Sequence, residues 1–122
     1  MKIYICPVCG NVIFLMDGDV SNVRCCGSEL IELKANVKDA AIEKHVPYCE
    51  VNDNKVKVSV GEVEHPMDLD HYIMWIAIVY DNKYEIKSLK PGDSPCVDFN
   101  YYKDSDVYAK CNKHGLWKKE ID

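Results

Sequence analysis

A chain of 122 residues, 48% of them hydrophobic, can build one modest core with a small satellite beside it, which excludes a large multidomain enzyme. The formal charge of -5 and the scattered placement of its 15 Lys and Arg residues provide no basic stripe for a phosphate backbone, so no nucleic-acid partner is expected. The longest apolar stretch, Tyr72 to Tyr80, is far short of the ~20 residues a spanning helix needs, and the start Met1-Lys2-Ile3-Tyr4-Ile5-Cys6-Pro7 lacks the apolar run of a secretory signal; the expectation is a cytoplasmic protein with no membrane contact.

In chain order, the first segment runs to about Lys34 and holds four of the 7 cysteines with few large apolar residues. At that size a core alone does not suffice, so a metal is expected to hold residues 1–34 together as one domain. An odd cysteine count without an export signal points the same way, because clustered thiols in a reducing compartment more often bind metal than form disulfides. Cys6-Pro7-Val8-Cys9 is a C-x2-C knuckle, and Cys25-Cys26 supplies two more thiols, with Gly27 following to relax the backbone. Four thiolates that can close a tetrahedron suit iron or zinc, and spacing does not choose between them. A zinc ribbon, however, uses two separated knuckles, whereas vicinal cysteines impose a distorted tetrahedron. From Cys6 to Gly27 the pattern resembles desulforedoxin, an iron protein without inorganic sulfide.

Residues 34–41 are small and polar and read as a linker, with a single helical turn fitting equally well. Residues 35–122 then carry strand signals and form the expected second domain. Lys55 to Val60 alternates with period two and puts Val56, Val58 and Val60 on one face. Ile73 to Tyr80 is almost continuously apolar and suits a central strand covered on both sides, with Asp81-Asn82 as a hairpin turn. Further strands are expected at Tyr84 to Leu89, Val97 to Tyr102 and Val107 to Lys110, separated by the turn clusters at 90–93 and 103–106. Short strands, frequent turns and no amphipathic helix make the fold class all-β, a β-sandwich.

All four histidines, His45, His65, His71 and His114, lie in this second segment, and Cys111 stands three positions before the last. His65 and His71 would be about 20 Å apart on a strand. On a helix they would point about 120° apart. Neither element brings both to one ion, but Pro66, Asp68 and Asp70 mark a loop that can. Cys111-Asn112-Lys113-His114-Gly115 is likewise a turn able to present a thiolate and an imidazole together. Five ligands leave one octahedral position open, which implies chemistry rather than structure.

Glu43-Lys44-His45-Val46-Pro47, His65-Pro66-Met67, His71-Tyr72-Ile73, Leu89-Lys90-Pro91-Gly92-Asp93 and Cys111-Asn112-Lys113-His114-Gly115-Leu116-Trp117 resemble the desulfoferrodoxins and the related neelaredoxins. With the N-terminal cysteines the resemblance covers nearly the whole chain. It implies a desulforedoxin-like domain with iron on Cys6, Cys9, Cys25 and Cys26, followed by an immunoglobulin-like β-sandwich. In the second domain it implies a square-pyramidal iron with His45, His65, His71 and His114 equatorial and Cys111 axial. The activity implied is superoxide reductase: superoxide goes to hydrogen peroxide in a homodimer supplied with electrons by a rubredoxin-type donor.

Ferrous iron with four neutral imidazoles and one thiolate would carry a net charge of +1, favouring approach of an anion. Lys44 adds a second positive charge and is expected to aid attraction and water-mediated proton delivery. By resemblance, Glu43 can occupy the sixth position of the ferric resting state and must move off for turnover. A rubredoxin-like electron carrier or a zinc-bound structural module remain the alternatives. Cys49 and Cys96 match neither ligand set and are expected as small buried apolar residues, with a disulfide between them open. Lys110 stands where the family often has an aromatic residue, and an ammonium near the Cys111 sulfur would raise the iron potential.

Overall fold

In a computed structural model of the chain, which describes residues 2–37, 45–60, 65–81 and 83–122, the backbone folds into two compact units, Met1–Lys34 and Ala35–Asp122. Every described element is a strand, and no helix is long and apolar enough to cross a membrane.

The first unit is built from five short strands. β1 (Lys2–Ile5) pairs antiparallel with β2 (Val12–Leu15), and β5 (Ile31–Glu32) joins the other side of β1. β3 (Arg24–Cys25) and β4 (Ser28–Glu29) form a separate minimal hairpin. Its hydrophobic interior amounts to little more than Ile3, Tyr4 and Cys6. So small a core cannot offset the entropy of ordering some thirty residues, and this unit needs a cross-link.

The second unit is a sandwich of two antiparallel sheets. One carries β6 (Pro47–Asn52), β7 (Lys55–Val60) and β10 (Cys96–Asn100), with β7 in the middle. The other has the order β12-β11-β8-β9, from β8 (Ile73–Tyr80), β9 (Lys83–Ser88), β11 (Ser105–Cys111) and β12 (Gly115–Ile121). The expected period-two face of β7 is present: Val56, Val58 and Val60 are fully buried and meet Phe99, Ile76, Ile78, Val107 and Ala109 between the sheets. β8 is one of the two inner strands, and Ala77 and Val79 on its other face are buried as well. Tyr80 pairs with Lys83 across the expected two-residue turn, where Asp81 takes a positive φ of 54°. Such left-handed backbone matches the twist of a tight hairpin.

Three features differ from the sequence expectation. β6 and β12 are full strands where none was expected. Within the stretch read as a linker, Asn36 forms a parallel bridge to Trp117, accepting from the Lys118 amide and donating to the Leu116 carbonyl, so it lengthens the sheet at the free edge of β12. The pairing of β11 with β8 shifts between Lys110, opposite Trp75, and Cys111, opposite Ile73. This bulge reverses the inward parity of β8, so Ile73 joins Ile76 and Ile78 in the core.

A Cys49–Cys96 disulfide is ruled out by register. Cys49 lies opposite Val58 and packs on the core, while Cys96 lies opposite Ser59 on the outer face. They flank β7 at two strand spacings, about 9.6 Å, beyond the ~7 Å limit for a bridge. Both are free and half-buried, and the Cys96 Sγ sits 3.3 Å from the Ser59 hydroxyl.

Candidate metal centres

The four-thiol group is made by two turns. In the Cys6–Cys9 knuckle, the Cys6 amide donates to the Asn11 carbonyl at 2.9 Å and the Gly10 amide to the Cys6 carbonyl at 3.0 Å, with Gly10 at φ 79°. The second turn joins β3 to β4 through Cys26 and Gly27 alone, and both have positive φ, 53° and 74°. That two-residue left-handed turn lets adjacent cysteines face one point, with Gly27 taking one of its left-handed positions. The four sulfurs lie within 4.8 Å of one another, and Cys9 and Cys25 are 3.5 Å apart. Tetrahedral thiolates at a metal–sulfur distance of about 2.3 Å would stand about 3.8 Å apart, so the group fits an ion. Amides of Cys9 and Val8 point at the Cys6 sulfur, and chiefly the first of these pulls its pKa down to about 6 against the effect of burial. Hydrogen bonding with Cys6 and Cys9 pushes Cys25 up to about 12. One thiolate thus forms readily and its neighbours resist adding more charge, a state a cation relieves.

The second group lies at one end of the sandwich, in the segments that enter β6, β8 and β12 and leave β7 and β11. His45 directly precedes the short lead-in to β6. His65 and His71 are joined by the expected loop: Asp68 and His71 exchange backbone hydrogen bonds at 2.9 and 3.2 Å, a tight turn that folds His71 back. Cys111 ends β11, and the hairpin Asn112-Lys113-His114 closes on Gly115, whose φ of 86° favours glycine.

The imidazoles form a square. Ring centroids are 4.6 Å apart for His45 and His65, 4.8 Å for His65 and His71, 5.0 Å for His71 and His114, and 4.8 Å for His114 and His45. The diagonal from His45 to His71 is 6.4 Å. Four imidazoles radiating from one ion at a metal–nitrogen distance of about 2.1 Å would place neighbouring centroids about 4.6 Å apart and opposite ones about 6.5 Å apart. The match is close on every measured side. His114 Nδ1 and His45 Nε2 face each other at 3.1 Å, and the Cys111 sulfur is 3.9 Å from that same Nδ1. Donor atoms of His45, His71, Cys111 and His114 all fall within 4.8 Å of one another, and His65 takes the remaining corner.

Supporting contacts orient this set. His65 Nδ1 is 2.7 Å from the Pro66 carbonyl, which requires that nitrogen to carry the proton and leaves Nε2 for a ligand. Trp117 stacks on His45 at 4.8 Å and 15°, and its Nε1 donates to the His114 carbonyl at 3.0 Å. Asn112 accepts from the Tyr72 amide at 2.9 Å and donates to the Asp70 carbonyl at 3.0 Å, tying the cysteine turn to the His71 loop. Cys111 is fully buried within the core cluster and His45 and His65 are buried beside it, whereas His114 is exposed and His71 half-buried, so among the described residues the thiol forms the floor and the set reaches solvent on the side of His71 and His114. Glu43 and Lys44 lie outside the described residues. Lys110, considered in the sequence for an ammonium near the Cys111 sulfur, is 5% exposed, and its ammonium donates to the Cys111 carbonyl at 2.6 Å. Burial lowers its pKa and the neighbouring Cys111 thiolate opposes that shift.

An immunoglobulin-like sandwich that gathers four imidazoles over one buried thiolate, in a chain that also carries a four-thiol hairpin unit, defines a two-site metalloprotein. The chain belongs to the desulfoferrodoxin family, whose pattern matches residues 37–120. It is 41% identical over 119 residues to a desulfoferrodoxin homolog of Archaeoglobus fulgidus, covering 97% of this chain and 95% of that one. It is 42% identical over 120 residues to the desulfoferrodoxin of Nitratidesulfovibrio vulgaris, covering 98% and 95%. Among solved structures, the superoxide reductase of Treponema pallidum superposes with a TM-score of 0.75 at 30% identity, covering 97% of this chain and 96% of that one.

Proposed function

We propose that the protein is a superoxide reductase that adds one electron and two protons to superoxide and releases hydrogen peroxide. The observation that carries this reading is the imidazole square over a buried cysteine, a five-ligand set that among the described residues reaches solvent at His71 and His114. His45, His65, His71, His114 and Cys111 would hold an iron, which would supply the single electron that superoxide accepts. The second iron is held by Cys6, Cys9, Cys25 and Cys26.

The residues themselves do the rest. Cys111, enclosed by the core and away from water, would bind the iron as a thiolate and donate electron density from the floor. Trp117 and the Pro66 carbonyl hold two of the imidazoles in fixed orientations, so little reorganisation accompanies the change of charge. The exposed side, at His71 and His114, admits a small anion. Lys44 attracts it and relays protons through water, while Glu43 competes for the open side; their place directly before His45 in the chain supports both roles. Domain 1–34 is the four-cysteine iron domain and domain 35–122 the catalytic one. A rubredoxin-type donor returns the spent electron, and the protein works as a homodimer in the cytoplasm, a compartment that keeps its seven cysteines reduced.

A carrier that only passes electrons would need the four-thiolate site alone and has no use for a five-ligand centre. Metal analysis and visible spectra test the difference. Two irons per chain are expected, with a long-wavelength thiolate-to-iron band that grows on oxidation and vanishes in Cys111→Ser. Zinc alone, or a single iron without that band, would overturn the assignment.

A further inference from the structure

Lys110 is the one lysine of the described residues that is buried, and it is not a ligand. Its side chain leaves β11 on the face opposite the core, between its cross-strand neighbours Trp75 and Leu116. The bulge falls at this step: the ladder to β8 slips between Lys110 and Cys111, and the Lys110 ammonium closes on the Cys111 carbonyl at 2.6 Å. A slipped ladder needs another donor for its backbone oxygens, and the lysine provides one.

Burying a lysine in an otherwise apolar stretch costs free energy that a Met or Leu at the same place would not. A neutral side chain could also pack there between Trp75 and Leu116. What the lysine adds is a positive charge attached to the backbone of the residue that supplies the only thiolate of the centre.

We propose that Lys110 is a positioning and charge-tuning residue for the Cys111 thiolate: it pins the Cys111 peptide at the bulge and, as a fixed cation, raises the reduction potential of the iron that this thiolate would hold. This inference rests on the superoxide reductase reading. A positive charge close to the thiolate withdraws electron density from it and favours the ferrous over the ferric state, which keeps the centre loaded with the electron that superoxide takes. At an effective dielectric near ~20, a unit charge within about 10 Å of the ion changes a one-electron equilibrium roughly tenfold.

The test is spectroelectrochemical titration of the iron-loaded full chain carrying Lys110→Met, Lys110→Gln or Lys110→Arg. Lys110→Gln keeps an N–H for the Cys111 carbonyl without the charge, and Lys110→Met keeps the stem alone. Both neutral variants are expected to lower the midpoint of the thiolate-to-iron band, by the equivalent of roughly tenfold in the reduction equilibrium. Lys110→Arg should restore it, and the four-thiolate iron in the same sample should not move. A midpoint unchanged in Lys110→Gln and Lys110→Met overturns the proposal. So does a loss in Lys110→Arg equal to that of the neutral variants. Should Lys110→Met fail to fold, Lys110→Gln decides. A wild-type protein without the thiolate-to-iron band would instead refute the reading on which the inference rests.

Discussion

Trp117 offers the sharpest test of how the site is held, because it touches two of the five ligand residues in two distinct ways. Its ring stacks on His45, and its indole N–H donates to the His114 carbonyl. Replacing it with Phe keeps an aromatic face and removes one hydrogen bond worth about 1 kcal/mol, roughly a fivefold effect. Replacing it with Leu also removes the aromatic pair, a further ~0.5–1.5 kcal/mol. It frees the imidazole as well, and loss of such an orienting partner weakens metal affinity about 10- to 100-fold. Affinity at the histidine centre should therefore fall in the order wild type, Trp117→Phe, Trp117→Leu. Competition between a chelator and the protein for cobalt would measure it, read on the band that the Cys111 thiolate gives. If Trp117→Leu is folded and binds with wild-type affinity, the orienting role is wrong.

Three further outcomes follow from the same geometry. Asn112→Ala removes two hydrogen bonds between the cysteine turn and the His71 loop, about 2 kcal/mol together, and the Tyr72 amide should exchange with solvent at least tenfold faster. Burial pushes the Cys49 thiol up to about 11 from an ordinary value of 9.0. Its folded pKa is thus above its unfolded one, so the stability it contributes is intact below pH 9 and is lost as pH rises from there through about 11. Urea melts of wild type against Cys49→Ala across that window check the sign, with the wild type expected to lose more. Stripping metal from the four-cysteine site should abolish amide protection in β1 and β2, whose core is too small to stand alone, while protection in β7, β8 and β11 persists.

Much of the second unit was legible because its inner strands obey simple periodicities. Val56, Val58 and Val60 alternate against a polar face, and the run from Ile73 has no polar face to offer. β6 and β12 carry no such periodic signal because each lies at the edge of its sheet. β6 buries little beyond Pro47, and Lys118, Lys119 and Glu120 mask the inward turn of Trp117 and Ile121. The bridge at Asn36 is a tertiary contact with no local signature. At the centres, ligand types and turn residues were readable, as was the need for a loop between His65 and His71. The nitrogen each ring presents was not, since it is set by partners such as the Pro66 carbonyl, whose approach to the ring depends on the conformation of the loop rather than on residue type. The carbonyl contact of Lys110 depends on a bulge between two strands that no single-strand pattern encodes.

The stoichiometry of the reaction tests the central claim most directly. Superoxide would be supplied in a pulse to the reduced, iron-loaded protein, and hydrogen peroxide and dioxygen measured together. The account predicts one peroxide for each superoxide consumed and no dioxygen, with the activity lost in Cys111→Ser. Half a peroxide with matching dioxygen, the signature of dismutation, would contradict it, as would a Cys111→Ser protein as active as the wild type.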